Sequence, residues 1–107
     1  MTPEKKVQND IINYLTMLIN QGHPLFFERR QAGGLSYKKG IPDLYAVYDG
    51  KHIEIEVKAP DGELSSMQIK FKQKCKRLNI LWICADSLDL FIEFLVKNFP
   101  NHKFNYF

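Results

Sequence analysis

The stretch from Asp43 to Lys58, DLYAVYDGKHIEIEVK, decides the fold of this chain. Asp49-Gly50 predicts a two-residue hairpin turn between two strands. Position i then pairs with position 99 − i, which sets Asp43 opposite Glu56. Directly opposed side chains lie about 4.5 to 5.5 Å apart at Cβ, where like charges are destabilising. A divalent cation explains such a pair, since Mg²⁺ is held by one or two carboxylates and substrate phosphates.

The second strand of the hairpin alternates between apolar and ionisable side chains. The apolar face carries three residues and the ionisable face four: Ile53, Ile55 and Val57 against His52, Glu54, Glu56 and Lys58. This alternation is also typical of a strand that simply turns its charges to water, so a solvated face stays an alternative to a metal site. Lys58 favours the metal site, because an ammonium on the same face can neutralise an attacking hydroxide or a developing phosphate charge.

The rest of the chain predicts three helices and two further strands. In chain order these are a helix from Pro3 to Gly22 capped by Thr2, a strand at 25–31, a polar loop at 33–40, a helix from Ser65 to about Leu78, a strand at 80–85, and a helix from about Ser87 to Asn98. The run 80–85, ILWICA, is apolar throughout, so we expect a central strand covered on both faces. The helical crossover predicts that it runs parallel to 53–58. This order predicts an α/β domain with a mixed sheet flanked by helices.

Length and composition favour one ordinary globular domain over residues 1–107, with 45% hydrophobic and 25% charged residues. The net charge of +3 and the pI near 8.9 are compatible with a polyanionic partner but do not decide the matter. No apolar run reaches the roughly 18 residues of a membrane span, and the N-terminus is polar, so we expect a cytoplasmic protein without membrane contact. Cys75 and Cys84 are expected to be free thiols, and the three histidines are too scattered for a zinc site.

Two more polar residues are candidates for the site, each with an alternative. Glu4 lies three and seven residues before Val7 and Ile11, so it continues the apolar stripe of the first helix toward the core. It could instead stay exposed and interact with the helix dipole. Ser65 and Gln68 have capping-box spacing. Gln68 also lies one turn before the residues expected on the inner stripe of this helix, which are Phe71, Cys75 and Leu78, so its amide could reach a phosphate or a water. The pattern does not separate these two roles.

The basic residues form two groups that suit a phosphate backbone, although a lysine-rich helix is often only a solvated surface. One group flanks Asp43 and the other shares a face of the second helix: Arg29, Arg30, Lys38 and Lys39, then Lys70, Lys74 and Arg77. Arg29 and Arg30 alternate along a strand, so only one of them can point toward the carboxylates. The sequence does not say which.

These residues resemble the VRR-NUC family of the PD-(D/E)xK nuclease superfamily. The resemblance is carried by Gly40-Ile41-Pro42-Asp43, Glu56-Val57-Lys58-Ala59-Pro60 and Gln68, and it extends from the Glu4 helix to about residue 85. It implies a restriction-endonuclease-like αβββαβ core, with the last helix and residues 100–107 outside the shared motif. Small stand-alone proteins that look like this one are typical of phages and bacteria.

The resemblance also implies roles for particular residues. Asp43, Glu56 and the backbone carbonyl of Val57 would bind Mg²⁺ or Mn²⁺. Lys58 would orient the attacking water and stabilise the transition state, while Glu4 and Gln68 match the acid and the glutamine of the family's two helices. It further implies a homodimer that acts on structured DNA.

The sequence therefore predicts a metal-dependent endodeoxyribonuclease in which Asp43 and Glu56 hold one or two Mg²⁺ ions at the scissile phosphate. Lys58 would offset developing charge, and Glu4 would position a second metal or a water. A domain this small has no obvious target-recognition module, so selectivity for junctions or branched DNA is expected over sequence specificity. Two alternatives remain: a non-catalytic nucleic-acid-binding or partner-binding module that retains the core, and a structural domain with a charged strand face.

Overall fold

A computed structural model of the chain describes residues 1–30 and 40–105. Within these ranges the elements are α1 (Pro3–Asn20), β1 (Leu25–Arg29), β2 (Leu44–Tyr48), β3 (Lys51–Val57), α2 (Ser66–Arg77), β4 (Leu81–Ala85) and α3 (Leu88–Asn98). The predicted α/β class, with a mixed sheet and three helices, is confirmed. The predicted loop at 33–40 lies outside the described residues except for Gly40.

The β2–β3 hairpin has the predicted register. Asp49 and Gly50 both have positive φ, 49° and 80°, as a type I′ turn requires. Every residue pair from Leu44–Ile55 to Tyr48–Lys51 follows the rule that partners sum to 99. Asp43 directly precedes β2, so it lies just beyond the Leu44–Ile55 pair, on the continuation of this register toward Glu56.

The four strands lie in the order β1-β2-β3-β4, with β1 antiparallel to β2 and β4 parallel to β3. The predicted parallel crossover is confirmed, but the predicted central position of residues 80–85 is wrong, because β4 lies at one edge of the sheet that the described strands form. Both α2 and α3 pack against β4, which accounts for its apolar side chains. Side chains stand perpendicular to the hydrogen-bonding direction, so an apolar strand shows that its faces are covered and not that it has two neighbours.

The core lies between one face of the sheet and the helices α1 and α3. Its fully buried members include Ile11, Tyr14, Leu15, Leu18, Leu44, Tyr48, Ile53, Ile55, Phe91, Ile92 and Leu95. The α1 stripe is therefore confirmed from Val7 to Leu18. Helix α2 buries only Cys75, and Leu78, which was expected on its inner face, is 55% exposed because it is the C-cap of the helix.

The C-terminal segment packs against the turn end of the hairpin, away from Asp43 and Glu56. Phe104 is buried, and its ring centroid lies 5.5 Å from that of Tyr48. The Tyr48 hydroxyl is hydrogen-bonded to Nδ1 of His23 at 2.7 Å, and Nε2 of His102 lies 3.2 Å from a carboxylate oxygen of Asp49. This segment thus has a packing role as far as residue 105. None of the described helices combines the length and the apolarity needed to cross a membrane.

Candidate functional site

Glu56 is a buried carboxylate with an unsatisfied oxygen. It is the penultimate residue of β3 and only 6% exposed. Its Oε1 has no hydrogen-bonding partner among the residues that the structure describes. Buried carboxylates are normally hydrogen-bonded, paired with a cation or bound to a metal. The side chain therefore does not lie on a solvated strand face, and it has the surroundings of a ligand-binding group.

Three of the predicted site residues influence the pKa of Glu56. Burial raises the pKa of Glu56 from its ordinary value of 4.5 to about 7. The ammonium of Lys58 opposes this rise, whereas the negative charges of Asp43 and Glu4 add to it. These side chains come from the segment after β3, the segment before β2 and the first turn of α1. The fold thus brings Glu4 and Asp43, from two distant segments, within electrostatic range of Glu56 and Lys58.

The backbone before β2 fixes the position of the exposed Asp43. The Arg30 N–H donates to the Asp43 carbonyl at 2.7 Å, and Pro42 is fully buried. Gly40 has φ +86°, and a Cβ at this position would lie 2.5 Å from the backbone oxygen of Met67 in α2. Only glycine avoids both the strained backbone and this clash. The Gly40-to-Asp43 segment is therefore anchored against β1 and α2, which holds the carboxylate of Asp43 near Glu56.

The carbonyl of Val57 points toward the side of the sheet where Asp43 lies. The Lys58 N–H donates to the Ala85 carbonyl of β4 at 3.0 Å. In a trans peptide the C=O and the N–H point in opposite directions, and the described chain has no cis peptide bond. The Val57 carbonyl is therefore directed away from β4. A carbonyl that binds a metal between β3 and the start of β2 would need this direction.

An open cavity of about 660 Å³ lies between the start of α1 and the segment before β2. Its described lining consists of Thr2, Glu4, Lys5, Gln8, Arg29, Arg30 and Asp43. Glu4 is exposed, so the expectation that it points to the core is wrong. The first buried residue of α1 is Val7, and the turn before it extends past the core. Glu4, about one turn before Val7 on the same side of the helix, therefore lies at the cavity that Asp43 also lines.

Glu54 is a second buried carboxylate, and its role was missed from the sequence. It is 5% exposed and accepts two hydrogen bonds from Arg30, Nη1 to Oε1 at 2.6 Å and Nη2 to Oε2 at 2.7 Å. Nε2 of His52 also contacts Oε2. Arg30 Nη1 donates to the Pro42 carbonyl as well, at 2.8 Å. This network therefore connects Glu54 to the segment that carries Asp43.

The structure decides which arginine shares a face with the carboxylates. Arg30 reaches Glu54 across the intervening strand β2, with its guanidinium carbon 4.7 Å from the ring centroid of Tyr45. Arg29 has the opposite orientation, is exposed, and lines the cavity with Glu4. The alternation in β3 placed Glu54 on the ionisable face, but its partner lies two strands away. A hairpin pattern contains no information on such a contact.

Gln68 forms the predicted capping box. The Ser65 N–H donates to the Gln68 Oε1 at 2.8 Å, and the Gln68 N–H donates to the Ser65 Oγ at 3.2 Å. The capping role is thus confirmed, and it occupies the amide oxygen. Of the predicted DNA-contacting residues on α2, Lys70, Lys74 and Arg77 are all exposed. Lys38 and Lys39 lie outside the described residues.

Within residues 1–30 and 40–105, no three His, Cys, Asp or Glu side chains are grouped closely enough to hold a metal ion. Glu4, Asp43 and Glu56 are therefore not arranged as a three-carboxylate centre. Mg²⁺ needs only one or two carboxylates when phosphate and water complete its shell, and the unsatisfied Oε1 of Glu56 fits that donor set. No family model, curated protein or solved structure matches this chain. The case for its function thus depends on its own geometry.

Proposed function

We propose that this protein is a Mg²⁺- or Mn²⁺-dependent endonuclease that hydrolyses DNA phosphodiester bonds, with a restriction-endonuclease-like core of the VRR-NUC type. The observation that carries the proposal is Glu56, a buried acid with an unsatisfied oxygen and a pKa raised to about 7. Burial is the main cause of that rise, and the negative charges of Asp43 and Glu4 add to it while Lys58 opposes it, so the ionised carboxylate is only partly compensated within the chain. A bound dication would remove this imbalance.

Each residue has a defined part in the proposed reaction. Asp43, Glu56 and the Val57 carbonyl hold the metal, which supplies positive charge to the scissile phosphate and makes a bound water more acidic. Lys58 is close enough to lower the pKa of Glu56, and its ammonium offsets the negative charge that develops on the phosphate. Glu4 faces the same cavity as Asp43 and orients a water there or a second metal through water.

The cavity beside the carboxylates has the charge pattern that a phosphodiester needs. Glu4 and Asp43 provide acids, while Lys5, Arg29 and Arg30 provide cations on the same lining. Arg30 is already paired with Glu54, which leaves Lys5 and Arg29 for the phosphates. Lys70, Lys74 and Arg77 of α2 are exposed and would supply further cationic contacts to the DNA backbone. Binding through such contacts weakens steeply as salt rises.

We further propose that the enzyme selects DNA by structure, with junctions or branched DNA as substrates, and that it acts as a homodimer. A symmetric dimer would present two sites to two backbones. Cleavage of single-stranded, flapped, nicked and four-way-junction DNA, together with sedimentation of the protein, tests both points. Equal cleavage of all forms would contradict structure selectivity, and a monomer at the working concentration would contradict the dimer.

The direct test is nicking of supercoiled plasmid in Mg²⁺, Mn²⁺ or EDTA. We expect metal-dependent nicking that falls at least a hundredfold in Asp43→Ala and Glu56→Gln. Asp89→Asn is the matched control, because this exposed acid lies in the first turn of α3 and lines no described part of the cavity. Activity that persists in EDTA, or in Asp43→Ala, would refute the metal mechanism.

The alternative function is a non-catalytic module that binds nucleic acid or a protein. Calorimetric titration with Mn²⁺ separates the two, since such a module has no need of a metal at these acids. Binding of Mn²⁺ that disappears in Glu56→Gln supports the enzyme, even before its preferred DNA is known. DNA binding without Mn²⁺ binding or cleavage would favour the module.

A further inference from the structure

The outer edge of β4 is an unpaired strand edge in the described part of the chain. Among the described strands, β4 pairs only with β3. Its Ala85 carbonyl accepts from Lys58 and so faces β3. Because backbone groups alternate along a strand, the N–H and C=O of Trp82 and Cys84 point to the outer edge. An apolar edge strand of this kind is a template for another strand, and proteins usually shield it with charge, proline or a bulge.

A groove runs along this edge between α2 and α3. Two adjoining cavities of about 360 and 490 Å³ share four lining residues, namely Lys72, Trp82, Phe94 and Lys97. Leu90, which is 39% exposed, lines the second cavity, and Lys76 lines the first. The groove thus combines an apolar floor, a free strand edge and lysines on both walls.

The charge of the groove lining distinguishes between the kinds of molecule that could bind there. Its described lining includes three lysines, Lys72, Lys76 and Lys97, against one acid, Glu93. A second copy of the chain would bring the same lysines to the edge, where like charges oppose pairing. A phosphate backbone has no donors for the outward carbonyls of Trp82 and Cys84. An extended peptide with acidic side chains meets both requirements, because its backbone donates and accepts while its carboxylates pair with the lysines.

We propose that the β4 edge binds an extended acidic segment of a partner protein by strand addition. The segment pairs with the backbone of Trp82 and Cys84, places apolar side chains on Phe94 and Leu90, and meets Lys72 and Lys97 with its carboxylates. This site is formed by β4 and the two helices beside it. It does not depend on the nuclease proposed above.

Trp82 reports directly on this groove, because it is the single tryptophan of the chain. Lys72 Nζ lies 5.1 Å from the centroid of its ring, so a peptide carboxylate that draws this ammonium away changes the surroundings of the indole. The probe is a seven-residue peptide with blocked ends that alternates glutamate and valine. We expect a saturable change in tryptophan emission with 1:1 stoichiometry, and no saturable change with the same peptide carrying lysine for glutamate.

The charge-reversal variant K72E/K97E tests the walls of the groove, and K6E/K103E is the control with the same change in net charge, at lysines that line neither the groove nor the cavity beside Asp43. All four lysines are exposed, so both variants should fold, which circular dichroism checks. Affinity for the acidic peptide should fall at least tenfold in the first variant and less than twofold in the second. Equal losses in the two variants would overturn the proposal.

Two further measurements complete the test: dilution of the protein alone, and titration of the protein with an oligonucleotide. Tryptophan emission that changes when the protein alone is diluted would show that a second copy covers the edge, which overturns the proposal. A saturable response to an oligonucleotide but not to the acidic peptide would overturn it in favour of nucleic acid. Peptide binding that survives in Asp43→Ala would show that this site is independent of the metal site.

Discussion

Two buried carboxylates on the same face of the sheet, Glu54 and Glu56, have opposite surroundings. Glu54 and Glu56 lie two residues apart on β3 and are 5% and 6% exposed. Glu54 is held by two hydrogen bonds from Arg30 and by His52. Glu56 has other acids nearby, and its Oε1 lacks a partner among the described residues. The two regions therefore differ in partners and hardly at all in residue type, strand or depth.

The difference teaches that pairing, and not burial, separates a structural carboxylate from a candidate ligand. A buried charge that meets a guanidinium in bidentate geometry is compensated within the fold. Burial raises the pKa of Glu56, and the nearby ammonium of Lys58 offsets this rise only in part, so this acid is costly to ionise. Acids with such a raised pKa concentrate at functional sites. The Glu54 region therefore links β3 to the residue after β1, whereas Glu56 Oε1 has no such partner among the described residues.

The largest expected effect comes from breaking the paired region. Arg30→Met leaves Glu54 buried without its main partner and should reduce the free energy of unfolding by about 3 kcal/mol. This is the low end for a buried pair, because a third of the Arg30 side chain is exposed. Urea denaturation measures the change. Arg29→Met is the control, since this exposed neighbour should change stability by less than about 0.5 kcal/mol. Equal losses in both variants would contradict a specific role for Arg30.

The unpaired region should make the stability of the metal-free protein depend on pH. The pKa of Glu56 is about 7 in the folded chain and near 4.5 when unfolded, so between these values the native state binds more protons. The free energy of unfolding should therefore fall as pH rises from 4.5 to 7, by at most ~3 kcal/mol from this group. Denaturation in EDTA of wild type and Glu56→Gln isolates this contribution as a difference between the two profiles. Parallel profiles would show that Glu56 does not titrate in this range.

Replacing each glutamate by glutamine should change stability in opposite directions. At pH 8 in EDTA, Glu56→Gln removes a charge that is costly to bury and should raise the free energy of unfolding by about 2 kcal/mol. Glu54→Gln removes the charge that Arg30 binds, so it should lower stability. Thermal unfolding and urea titration measure both variants. If the two changes have the same sign, the contrast between the regions is wrong.

The smallest expected effect concerns Gln68, whose capping role can be separated from a role in the site. Gln68→Ala removes the capping box and should cost about 1 kcal/mol. Gln68→Glu keeps an acceptor for the Ser65 N–H and should stay within about 0.5 kcal/mol of wild type. Helix content and urea midpoints check these values. A large loss in Gln68→Glu would mean that the side chain has a further partner.

Some site residues were predictable because local rules determine them. The Asp49-Gly50 turn sets the register, so the relation between Asp43 and Glu56 follows from the two-residue loop. Strand alternation places Glu54 and Glu56 together on one face, and Ser65 with Gln68 predicts the start of α2. Each of these inferences needs only neighbours along the chain or directly across a hairpin.

Other features needed contacts between distant segments. The sequence did not say that Arg30 pairs with Glu54, because the contact crosses β2. The exposure of Glu4 depends on where α1 begins relative to the core, and the edge position of β4 depends on the order of strands. An apolar run indicates that both faces of a strand are covered, but it does not indicate the position of that strand in the sheet. Residues 80–85 were therefore expected at the centre, whereas β4 lies at an edge of the described sheet.

The sequence by itself determined the element order, the hairpin register, the helix caps and the ionisable face, since these depend on backbone preference and on periods of two and 3.6 residues. Only the tertiary structure decided how deeply Glu56 is buried, which carboxylate is hydrogen-bonded to Arg30, and which strands lie at the edges of the described sheet. These properties depend on what distant segments place around a side chain or strand, and burial and charge act through space without regard to sequence distance.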